Sequence, residues 1–207
     1  MTSHIRRLST ILVQWYGPQS VRRASLKYTQ SGQDMIKKKL WDHIAAIDLT
    51  PINVKFASNF SKLSRAEIEL VELEYRRFLY LSVSRSQPGF LFVPIDLVDE
   101  YWHTHILDTE KYWDDCLEAF GYVIHHFPYF GMRGSDDEVA LDTAFQRSLR
   151  IYHNEYNEHL IDRLRDLRSK LAGYELDFSA AAAVCTGRGC NDSLGQKEQQ
   201  RPTWPRD

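Results

Sequence analysis

Ser64-Arg-Ala-Glu-Ile-Glu-Leu-Val-Glu-Leu-Glu-Tyr-Arg-Arg-Phe-Leu-Tyr-Leu-Ser-Val-Ser84 is the stretch that sets the fold class. Ser64, with Glu67 three residues on, is a capping box, in which each side chain satisfies a backbone amide that the first helical turn leaves free. Ile68, Val71, Tyr75, Phe78 and Leu79 then fall on one stripe at helical spacing, so this segment presents an apolar face to a core. Glu72 and Arg76 sit one turn apart, where opposite charges add a few tenths of a kcal/mol. The helix should stop before the turn Gln87-Pro88-Gly89.

The same period continues on both sides. Ile36, Leu40, Ile44 and Ile47 form a shorter stripe that Pro51 and Asn53 interrupt. Pro94 and Asp96 open a helix, and Asp108-Thr109 offers a second start, so consecutive helices are predicted over 96–107 and 109–120, with Gly121 as the stop. Residues 122–134 carry Pro128, Gly131 and Gly134 among Phe127, Tyr129 and Phe130, which suits an ordered loop. Ser135 and Glu138 form another capping box. Phe145, Leu149, Tyr152, Tyr156, Leu160, Leu164 and Leu167 then predict one helix reaching about residue 171. No strand-type alternation, internal repeat or Gly-rich phosphate loop is evident. The expected architecture is all-α: a single helical-bundle domain over residues 34–172, a basic N-terminal arm over 1–33 and a disordered C-terminal tail over 173–207.

Composition narrows the function classes. The 207 residues suffice for one core, and a net charge of -2 provides no global field for steering nucleic acid. The charge is uneven: residues 1–41 hold eight basic side chains against Asp34 alone, a local +7 that leaves -9 for the remainder. No apolar run is long enough to span a bilayer, which argues against a membrane span. Cys116, Cys185 and Cys190 are too few and too scattered for a disulfide framework, pointing to a reducing, cytoplasmic setting. The acid-poor, Arg- and Ser-containing first 30 residues also fit an organellar transit peptide.

The chemistry concentrates between Val93 and Gly134, which hold four of the eight histidines, His103, His105, His125 and His126. Histidine is the commonest metal ligand. On a helix Asp99 and His103 lie at i and i+4 on one face, where they can present an oxygen and a nitrogen to one ion. His105 points about 200° away from His103 and joins only if the helix ends between them and Asp108. His125 and His126 are neighbours, so one of the two is expected to face inward. The candidate ligand set is therefore Asp99, His103, His105, His125 and His126. Two histidines and a carboxylate match both zinc sites and the facial triad of non-haem iron enzymes, so the expected cofactor is a divalent ion, zinc or iron. The competing reading makes the histidines a structural network hydrogen-bonded to carboxylates and carbonyls, with Trp102 and Trp113 as packing residues.

Other groups carry less. Cys116 shares a face with His105 and Tyr112 but reads as a core thiol rather than a nucleophile. His153 and His159, six residues apart on the expected long helix, read as surface residues. Arg6, Arg7, Arg22, Arg23 and Lys37 to Lys39, interleaved with Trp15, Tyr16 and Tyr28, could meet phosphates and bases, but a pI near 6.4 ranks nucleic acid below an unknown small-molecule or protein partner.

The run Val98-Asp99-Glu100-Tyr101-Trp102-His103-Thr104-His105-Ile106-Leu107, followed by Thr109, Tyr112, Asp115-Cys116, Phe120-Gly121, His125-His126 and Pro128, resembles the glycine-rich domain-containing protein-like family, a domain of unknown function. Glu74-Tyr75-Arg76-Arg77-Phe78-Leu79 and the stretch from Ile47-Asp48-Leu49 to Lys55-Phe56 are also similar, so the likeness covers about residues 40–170. The resemblance implies a helical fold and no assigned reaction. Plant members are associated with development and stress responses, and this chain lacks their extended glycine-rich or RNA-binding appendage.

Overall fold

The computed structural model describes residues 30–85, 91–172 and 183–186. The turn at Gln87-Pro88-Gly89, Cys190, all of the arm before residue 30 and the tail apart from 183–186 lie outside the described residues. The chain divides into two compact units, Met1–Trp41 and Asp42–Asp207.

Seven helices appear among the described residues: α1 (Gln30–Ala46), α2 (Thr50–Asn59), α3 (Arg65–Ser84), α4 (Asp96–Leu107), α5 (Thr109–Phe120), α6 (Ser135–Tyr156) and α7 (Leu160–Lys170). The fold is all-α. A short antiparallel ribbon accompanies the helices, β1 (Ile124–Phe127) paired with β2 (Ala183–Thr186) in the register His126 to Val184. Four-residue strands are too short for their alternation to stand out, and the partner strand is distant in sequence, so residues 122–134 read as loop.

The first unit contributes the leading part of α1 to the described residues, and there the expected stripe is not buried: Ile36 is 53% exposed. In the second unit Ile44 and Ile47 are buried. α3 begins with the capping box, Ser64 N–H donating to Glu67 at 2.6 Å. Its stripe is sequestered as its spacing requires. Phe56, Tyr75, Phe78, Tyr101 and Trp102 form a continuous aromatic core, with ring centroids 5.1 Å apart for Phe56–Tyr101, 5.0 Å for Tyr75–Tyr101 and 5.1 Å for Phe78–Trp102. Each fully buried aromatic of this kind contributes about 1.5–3 kcal/mol. Arg76 does more than pair with Glu72: its guanidinium also donates to the carbonyls of Ile44 and Ile47, satisfying groups at the end of α1.

Glu74 is a buried charge, with no exposed side-chain surface, whose carboxylate accepts from Arg163 at 2.7 Å, Tyr152 at 2.7 Å and Arg77 at 3.2 Å. This network joins α3 to α6 and α7. The single long helix expected over 135–171 is in fact two, because Asn157 adopts a left-handed conformation (φ 53°) and ends α6. The second capping box does not form: Gly134 is the N-cap. Asp137 instead accepts from the backbone amides of Gly131 and Arg133 at 2.7 and 3.2 Å. Gly121 stops α5 in the left-handed region (φ 75°), as its sequence position implies. Trp113 is 53% exposed, so it is not a packing residue; its neighbours Tyr112 and Cys116 take the buried face of α5.

Candidate metal centre

Asp99 and His103 lie one turn apart on α4, and β1 brings His126 against them. Asp99 is buried among the first turns of the helix, while His103 keeps 35% of its side-chain surface exposed. Strand alternation separates the histidine pair: Ile124 is fully buried, His125 is exposed and His126 turns back inward, with 12% of its side chain accessible.

The Nε2 atoms of His103 and His126 are 2.7 Å apart. Asp99 Oδ2 lies 3.8 Å from the first and Oδ1 3.7 Å from the second. Two donors each about 2.1 Å from one ion stand at most about 4.2 Å apart. All three separations fall below that limit, so Asp99, His103 and His126 form a group that could hold a metal ion.

The fit has a further basis. Asp99 Oδ1 is a buried carboxylate oxygen with no hydrogen-bond partner among the described residues. Leaving such an acceptor unmatched costs on the order of 1–3 kcal/mol or more, and buried polar atoms are normally paired. A cation at the head of the two imidazoles would meet that oxygen and both Nε2 lone pairs. A cation there would also offset the charge of a carboxylate held out of water.

His105 lies outside this group. Its Nε2 meets Asp115 Oδ2 at 2.9 Å and its Nδ1 meets the Tyr75 hydroxyl at 2.9 Å. A carboxylate only accepts, so Nε2 carries the proton; the neutral ring then accepts at Nδ1, and Tyr75 donates. Burial holds Tyr75 in the protonated form, its pKa well above the ordinary tyrosine value. Burial also pushes the His105 pKa down to about 4, against the opposing pull of Asp115. Lys111 reaches the same Asp115 oxygen at 2.9 Å. α4 runs on to Leu107, past both histidines, so His105 points away from His103, and both of its ring nitrogens are engaged elsewhere. His125 also lies outside the group, exposed on the opposite face of β1 from His126.

Trp102 packs beside the group, its ring 4.8 Å from that of His126. The indole N–H donates to the Tyr112 hydroxyl at 3.0 Å, and Tyr112 donates to the carbonyl of Ile124. Cys116 is buried, and burial raises its thiol pKa, the opposite of what a nucleophile requires. Tyr75, Tyr112 and Asp115 surround the histidines but were not singled out from the sequence as partners. Asp115 at i+10 from His105 and Tyr112 at i+10 from Trp102 become neighbours only because α5 folds back on α4. His153 is half-buried and His159 exposed, and their rings stack at 4.4 Å and 9°, the left-handed Asn157 ending α6 between them.

The sequence matches the model of an uncharacterised family, UCP032817-like, over residues 41–172. The chain belongs to the UCP032817-like family. The matched span of this family contains every helix from α2 to α7 and the whole Asp99, His103, His126 group, and it agrees with the 40–170 range of the sequence resemblance. The UCP032817-like match carries no glycine-rich name and does not single out the Trp-His-x-His run. No curated protein and no solved structure gives a match to the chain. Among the described residues no helix is long and apolar enough to cross a membrane.

Proposed function

We propose that this UCP032817-like protein binds one divalent cation, zinc or iron, through Asp99 Oδ1, His103 Nε2 and His126 Nε2. The observation that carries the proposal is the unpartnered buried oxygen of Asp99, lying 3.7 Å from His126 Nε2, too far for a hydrogen bond. Three protein ligands leave coordination positions for water or a small molecule, as in catalytic rather than closed structural sites. His103 is the most exposed of the three, which places the accessible side of the group there. Such an ion supplies Lewis acidity and an acidified water. The partner of this reading is a small molecule reached from solvent in the cytoplasm. Nucleic-acid binding through the basic arm ranks behind it, and the glycine-rich resemblance adds no reaction.

A second reading has its own observation. Two neutral imidazoles 2.7 Å apart make a direct hydrogen bond if one Nε2 is protonated and the other bare. In that case the pair is structural, and the protein is a non-catalytic interaction module. Elemental analysis of purified full chain together with zinc, iron(II) and manganese(II) titration separates the two. Stoichiometric uptake, abolished in His103→Ala, is expected. Absence of bound metal, with His103→Ala leaving uptake unchanged, would sink the cation proposal.

A further inference from the structure

We infer that Tyr112 is a positioning residue for the cation group, an inference that rests on the reading above. Tyr112 sits on the buried face of α5 and does not touch Asp99, His103 or His126 through any hydrogen bond. Its hydroxyl works at two places at once. It accepts the indole N–H of Trp102, and it donates to the carbonyl of Ile124, the first residue of β1.

Both contacts are to neighbours of His126: Trp102 packs on its ring, and Ile124 stands two residues before it in β1. Ile124 and His126 share a strand face, so anchoring the Ile124 carbonyl sets the height and rotation at which the His126 side chain leaves the backbone. Trp102 is fully buried and supplies the wall against which the His126 ring lies. Holding its N–H fixes the indole plane and with it the tilt of that ring. One hydroxyl therefore sets both the backbone origin and the side-chain wall of a single ligand, while α4 places Asp99 and His103 without such help. The β1–β2 pairing holds the strand along one edge; it does not determine the rotation of the imidazole.

The Tyr112 ring also meets His105 edge-on, with centroids 5.0 Å apart. Its position is thus shared between the His105 network and the cation group, which lie on different sides of α4. Outer groups that orient ligands typically govern metal affinity by about 10–100-fold.

The test compares wild type, Tyr112→Phe and Tyr152→Phe, each as the full chain. Tyr152 is an equally buried phenol, hydrogen-bonded to Glu74 and remote from His126 in the contacts it makes, so it controls for general loss of a buried hydroxyl. Cobalt(II) titration followed by visible absorption reads the group with metal; the ring-nitrogen resonances of His126 read it without metal. Tyr112→Phe is expected to weaken cobalt binding about 10–100-fold and to shift the metal-free His126 resonances, with Tyr152→Phe leaving both as in wild type. Unchanged His126 resonances in Tyr112→Phe, or equal effects from both variants, overturn the inference. If wild type takes up no cobalt, the cation proposal fails, and the metal-free resonances alone decide the role of Tyr112. Trp102→Phe, which deletes the N–H and keeps an aromatic wall, serves the same comparison should Tyr112→Phe not fold.

Discussion

His103 Nε2 and His126 Nε2 point at one another across 2.7 Å, although they come from a helix and a strand separated by a further helix. Their approach places two nitrogen donors and the carboxylate of Asp99 at one point, and leaves one oxygen of that carboxylate without a hydrogen bond. The arrangement is poised between a bare hydrogen bond and a coordination shell.

Replacing Asp99 distinguishes these states through opposite effects. Asp99→Asn keeps the shape but removes a buried charge whose Oδ1 is unpartnered, so in chelator its stability is expected to equal or exceed that of wild type by up to about 1–3 kcal/mol. Its zinc affinity should fall, because the asparagine oxygen is uncharged and a weaker ligand than a carboxylate. Urea unfolding in chelator and calorimetric zinc titration read the two quantities.

Metal should stabilise the fold by mass action. At a free zinc concentration 100 times the dissociation constant the expected gain is about 2.7 kcal/mol. For a chain of this size that corresponds to a rise in melting temperature of roughly 5–10 °C. Differential scanning fluorimetry, with chelator reversing the shift and His126→Ala abolishing it, checks the expectation. His125→Ala should behave as wild type, because His125 faces solvent.

The buried His105 makes the metal-free protein sensitive to acid. Its folded-state pKa of about 4 lies below the unfolded value near 6.5, so the unfolded chain takes up the proton first. The native state therefore keeps this contribution above about pH 6.5 and loses it as the pH falls towards 4, at a total cost on the order of 3 kcal/mol. Unfolding free energies measured in chelator from pH 7.5 to 4 should fall more steeply for wild type than for His105→Gln. Parallel slopes would count against the assigned neutral ring.

Glu74 is the fully buried carboxylate that Arg77 and Arg163 share, with the half-exposed Glu158 as their second partner. Glu74→Ala leaves Arg77 and Arg163 without their buried acceptor and is expected to destabilise by about 3–5 kcal/mol, far more than the exposed pair variant Glu69→Ala. Chemical denaturation of the two variants compares them directly.

Helix identity was readable wherever a cap preceded a stripe. Ser64 with Glu67, and Gly121 after residues 109–120, mark boundaries that the structure reproduces, since caps and apolar period are local properties of the chain. The same signals misled where a competing backbone conformation intervened. At Ser135 the preceding Gly134 takes the cap, and at Asn157 a left-handed residue ends the helix although apolar residues recur at helical spacing in the sequence beyond it.

For the site, spacing alone placed Asp99 and His103 on one face and limited the neighbouring pair to one inward histidine, because helical and strand periods dictate side-chain direction. Which member of the pair turned inward was decided by the register of β1, where burial of Ile124 brings His126 to the same side. Whether His105 joined depended on what α3 and α5 bring to it: Tyr75 of α3 and Asp115 of α5 take both of its nitrogens. Local chemistry is written in residue order, whereas contacts among α3, α4, α5 and β1 arise from packing of the whole core, which satisfies one histidine and leaves a buried oxygen of Asp99 open.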